Sequence, residues 1–86
     1  MTEVIVELRV LPKDVEVDLE KLEKEINSAL TPQKILREPV AFGLVALRVT
    51  KIVKDEAGQI DELERKLKII EGVGELEVLK VTRAIY

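Results

Sequence analysis

Neither cysteine nor histidine occurs anywhere in the 86 residues. The first absence excludes disulfides and thiolate metal sites. The second removes the usual zinc ligand, the commonest general base and the side chain that changes charge near neutral pH. No stretch approaches the roughly 20 apolar residues that span a bilayer, and the start Met1-Thr2-Glu3 lacks the basic residues of a signal peptide. A cytoplasmic protein without membrane contact is therefore expected. The formal charge of -3 and the pI near 5.0 supply no positive field for a phosphate backbone, so no direct contact with nucleic acid is expected either.

What is present is a strongly patterned chain. Hydrophobic residues make up 47% and charged residues 36%, the balance of a small packed domain with a solvated exterior and not of a disordered chain. A chain of this length buries only about 60 to 65% of its unfolded surface, so residues 1–86 are read as a single domain around one core.

Val4, Val6, Leu8 and Val10 alternate with Ile5, Glu7 and Arg9, a period of two that predicts a half-buried strand over residues 4–12, ended by Pro12. Asp18 is suited to cap a helix whose stripe is Leu19, Leu22, Ile26, Ala29 and Leu30, stopped at Thr31-Pro32. Strands are predicted over 34–40 and 44–53, joined by the tight connection Ala41-Phe42-Gly43. After the polar loop 54–58, Ile60, Leu63, Leu67 and Ile70 recur at helical spacing as far as Gly72, and a last strand is predicted over 76–84. The order βαββαβ, with right-handed crossovers, predicts an α+β fold of ferredoxin-like type. Its antiparallel sheet has four strands in spatial order 4-1-3-2, with both helices on one face and the other face bare.

Chemistry finds little purchase on this pattern. Glu20, Glu23, Asp61, Glu62 and Glu64 fall on polar helix faces among bases, the arrangement of solubilising pairs and not of a catalytic dyad. Gly72-Val73-Gly74 follows a helix, whereas a phosphate-cradling loop precedes one. An RNA-recognition domain shares this fold but stacks bases on aromatics of its first and third strands. Phe42 and Tyr86, the only aromatics here, sit in neither. No cofactor, no metal and no covalent chemistry are expected, which leaves contact with another molecule as the function.

The segment Glu38-Pro39-Val40-Ala41-Phe42-Gly43-Leu44-Val45-Ala46-Leu47 resembles the E-P-(I/V)-A-F-G-L-x-A-L segment of the archaeal elongation factor 1-beta family. The strand at 4–12 and the run Glu71-Gly72-Val73, Val78, Thr82-Arg83 agree with that family in place and kind, so the resemblance covers the whole chain. It implies a guanine nucleotide exchange factor of elongation factor 1-alpha, the GTPase that carries aminoacyl-tRNA; when alone the chain is expected to be a monomer. It also implies that one loop-bearing end of the sheet and the C-terminus insert together near the partner's Mg²⁺ and phosphates. Pro39, Phe42 and Gly43 match the hairpin segment, where the aromatic of eukaryotic relatives contacts the GTPase; the other reading of Phe42 is that it packs the end of the core. Arg83 falls where those relatives have a near-terminal Lys that reaches the Mg²⁺ site; the other reading is an exposed cation at a strand end. Val45 stands where relatives often have Lys, with Lys80 and Arg48 left to compensate. Two further readings from the residues are a small ligand-binding regulatory domain of the same topology, which would dimerise, and an adaptor using the bare sheet face.

Overall fold

Alternation decides which side of β1 (Thr2–Pro12) meets the core: Val4, Val6, Leu8 and Val10 are buried, and the residues between them are not. The computed structural model describes residues 2–85; Met1, part of the N-terminal motif, and Tyr86, the second aromatic, lie outside the described residues. β1 pairs antiparallel with β3 (Val45–Lys54) on one side and with β4 (Val73–Ile85) on the other, while β2 (Lys34–Pro39) pairs antiparallel with β3 at the edge. The strand order β2-β3-β1-β4 is the expected 4-1-3-2 order counted from the opposite edge, so the ferredoxin-like α+β fold is borne out.

Two helices, α1 (Leu19–Leu30) and α2 (Gln59–Lys68), close the apolar face. Leu22, Ile26 and Leu30 of α1 and Leu63 and Leu67 of α2 join the β1 valines with Leu47, Val49 and Val53 of β3 in one buried cluster. Asp18 caps α1 as its residue type predicts, its Oδ1 accepting the Lys21 N–H at 3.2 Å. At the other end Thr31 turns left-handed, and Lys51, on the core face of β3, reaches out to donate from Nζ to the Thr31 carbonyl at 3.3 Å. Gly72 takes φ +98°, where a Cβ would stand 3.2 Å from Val17 Cγ1, so glycine is required as the chain leaves α2.

Two boundaries differ from expectation by more than two residues. α2 ends at Lys68, and Ile70 packs against the core from the turn beyond it. β4 starts at Val73 instead of 76: the register with β1 shifts between Leu11 and Pro12, where Gly74 is the extra residue, and a second shift, between Glu7 and Leu8, lies within the predicted strand. Each bulge breaks the period of two that would have announced the strand.

The face without helices is bare but not apolar. Arg48 lies 3.2 Å from Glu38 and 3.9 Å from Glu7, and Arg9 lies 3.4 Å from Glu38 and 3.7 Å from Glu77, so one charge network crosses all four strands. Among the described residues no helix is long and apolar enough to cross a membrane.

Candidate functional site

At one end of the sheet, β2 and β3 part after the pair Pro39 and Val45. The tip is closed by the Val40 N–H donating to the Leu44 carbonyl at 2.9 Å and the Leu44 N–H donating to the Ala41 carbonyl at 3.2 Å. Between them Phe42 adopts φ 59°, ψ 34° and is 96% exposed, with Gly43 at φ 75° beside it. The reading of Phe42 as core is thereby overturned: the turn directs its ring into solvent. A bulky residue in this left-handed region is a conformational outlier of the kind that gathers at contact sites.

A second apolar side chain stands at this tip. Val15, in the loop between β1 and α1, is 64% exposed, and its Cγ1 lies 3.9 Å from where a Cβ on Gly43 would be. The loop is held by the Glu16 N–H donating to Asp14 Oδ1 at 2.9 Å. Val15 lies outside every periodic segment, so no pattern in the sequence marks it; its only signal is an apolar residue among Lys13, Asp14 and Glu16.

Arg83 belongs to the other end. It pairs across the ladder with Val4, whose side chain is in the core, so Arg83 points to the helical face of the sheet. Its Nε lies 3.0 Å from Asp55 Oδ2, in the loop that leads from β3 to α2. The pair stands at the rim of a cavity of about 260 Å³ floored by Val4, Val53, Ile60 and Val81.

The expectation that hairpin tip and C-terminal segment converge on one docking site is therefore corrected. Val4 pairs with Val53 on one side and Arg83 on the other, which places Arg83 level with the end of β3, whereas Phe42 lies beyond its beginning. The run from Val45 to Val53 alone spans about 27 Å at the usual strand rise, in a molecule 42 Å long. Pro39, Phe42 and Gly43 stand together; Arg83 does not join them. Nor does Arg48 compensate for Val45, since it faces the opposite side of β3 and is tied to Glu38 and Glu7.

The resolved pKa shifts belong to surface pairs: the hydrogen bond to Glu23 raises Arg37 above its ordinary value, and the hydrogen bond from Arg65 lowers Glu62. Among the described residues no group of three or more acidic residues is placed to hold a metal ion. A groove of about 660 Å³ between α1 and the turn after α2 sets Lys21, Lys24 and Lys66 beside Glu25 and Glu71 and so presents no field of one sign.

The family model for the EF-1 guanine nucleotide exchange domain matches residues 5–84. The chain is 45% identical to elongation factor 1-beta of Methanoregula boonei over 83 residues, covering 95% of this chain and 98% of that protein. It is 44% identical to elongation factor 1-beta of Thermofilum pendens over 89 residues, with 96% and 97% covered, and 42% identical to that of Methanothermobacter thermautotrophicus over 87 residues, with 96% and 98% covered.

Proposed function

The chain belongs to the EF-1 guanine nucleotide exchange domain family, and from that membership we propose that it promotes exchange of GDP for GTP on elongation factor 1-alpha by loosening the partner's Mg²⁺ and phosphate site. The observation that carries this reading is a match running through both halves of the fold, from residue 5 to residue 84. Residues 1–86 act as one exchange domain, working through surface contact in the cytoplasm as a monomer, without a cofactor, nucleic acid or membrane as partner.

The physical basis is electrostatic. A Mg²⁺ ion bridging protein and phosphate oxygens is the largest local charge holding GDP, so a contact that disturbs it weakens the nucleotide. Coupling of this kind is reciprocal: returning nucleotide weakens the exchange factor in turn and ends the cycle. Phe42, with Pro39 and Gly43 shaping its turn, is the apolar contact, supported by its exposure. Arg83 is the cation that meets the phosphate site, supported by its match to the Lys that reaches the Mg²⁺ site in eukaryotic relatives and by its 65% exposed side chain. Since these lie at opposite ends of the molecule, they engage separate surfaces of the GTPase.

Elongation factor 1-alpha loaded with fluorescent GDP tests the proposal. Saturating amounts of this protein are expected to speed GDP release by about tenfold or more, the scale of ordinary coupling between two sites. An unchanged release rate overturns it.

A further inference from the structure

We propose that Asp55 is a positioning residue for Arg83, holding its guanidinium at the rim of the C-terminal end so that it arrives at the partner's anionic site already oriented. This rests on the reading of Arg83 given above and adds a residue to it. Asp55 is itself anchored: its N–H donates to the Thr2 carbonyl at 3.2 Å, and the next residue closes a tight turn, Glu56 N–H to Lys54 carbonyl at 2.8 Å. That anchor is on β1, against which Arg83 is also laid by the pair Val4 and Arg83. Both partners of the ion pair are thus referred to the same strand, and their 3.0 Å approach follows from the sheet register.

The asymmetry of exposure sets the roles. Asp55 is 35% exposed and Arg83 65%, so the carboxylate is the fixed post and the guanidinium the outward member. A long exposed Arg loses rotamer freedom when it meets the phosphate site, and a restraint already present in the free protein removes part of that loss from the nucleotide-release step, which follows docking. The closest approach is through Nε, which leaves the two terminal nitrogens as the guanidinium's further donors for an incoming phosphate. Partial neutralisation by Asp55 opposes this, but at a solvent-exposed pair the opposing charge is screened and the geometric gain prevails.

The test measures fluorescent GDP release from elongation factor 1-alpha across concentrations of wild type, Asp55→Asn, Asp55→Glu, Arg83→Ala and the Asp55→Asn/Arg83→Ala double variant, with a thermal melt of each. Asp55→Asn is expected to lower the saturating release rate by about two- to fivefold, the range of an exposed ion pair, while the half-saturating concentration and melting midpoint stay put. Asp55→Glu, which keeps the charge, is expected to restore at least half of the loss, and Asp55→Asn is expected to add nothing once Arg83 is gone. A rate for Asp55→Asn at or above wild type overturns the proposal, as does an equal slowing in the Arg83→Ala background. Wild-type release by Arg83→Ala itself would remove the reading of Arg83, and this proposal with it, while leaving the exchange activity standing.

Discussion

A side chain with a Cβ held at φ 59°, ψ 34° stores about 1 kcal/mol or more of backbone strain, and Phe42, 96% exposed, regains none of it by packing within its own chain. Two substitutions separate backbone from side chain. Phe42→Gly is expected to raise the free energy of unfolding by about 0.5 to 1 kcal/mol by relieving the left-handed turn. Phe42→Ala keeps the strain and removes only exposed surface, so it should stay within about 0.5 kcal/mol of wild type. Denaturant unfolding checks both, against the roughly 3 to 5 kcal/mol that a buried Phe would cost on truncation. Both variants should slow GDP release, because a residue that gives the fold nothing is free to serve the partner. The turn itself was legible from Ala41-Phe42-Gly43, but its handedness was not: residue identity favours Gly at positive φ, and here two successive residues adopt it.

At the scale of elements, β4 shows how local geometry hides a strand. Gly74 lies at the register shift between Leu11 and Pro12, where a Cβ would come within 2.9 Å of the Pro12 carbonyl oxygen and 3.0 Å of Lys13 Cα. Neither backbone atom can swing aside, so Gly74→Ala should destabilise by about 1 to 3 kcal/mol, the cost of overpacking, read as a lower denaturant midpoint with unchanged slope. β1 and α1 were legible because each keeps one period from end to end and α1 announces its start with a cap. Asp18→Ala should cost about 1 kcal/mol in the same measurement. β4 was legible only from Leu76, past the shift at Gly74, and there by composition more than by period, since Leu79 falls between the partners of Glu7 and Leu8 and shifts the alternation. The bare face was legible as charged from Glu7, Arg9 and Arg48. That these charges pair with Glu38 and Glu77 was not, because such pairing depends on register across four strands.

Strand direction governs the whole molecule. β3 and β4 both run antiparallel to β1, so the beginning of β3 lies beside the end of β1, and the end of β4 lies beside its beginning. The predicted topology already required Phe42 and Arg83 to stand at opposite ends; the shared motif match drew them together although the strand order kept them apart. The Asp55 and Arg83 pair was beyond reach of the sequence for a related reason: the two residues meet only through the register of β4 on β1. The separation has a measurable consequence. Residues more than about 7 to 10 Å apart with no shared partners act additively to within about 0.5 kcal/mol, and these two ends are separated by most of a 42 Å molecule. If each end grips its own surface of the GTPase, the Phe42→Ala/Arg83→Ala double variant should slow GDP release by the product of the two single factors. A single docking patch predicts strong coupling instead, with the double variant no slower than the worse single one. Release rates for the four proteins, taken at concentrations spanning saturation, decide between these, because a product of factors can arise only where the two contacts contribute independently to the same transition state.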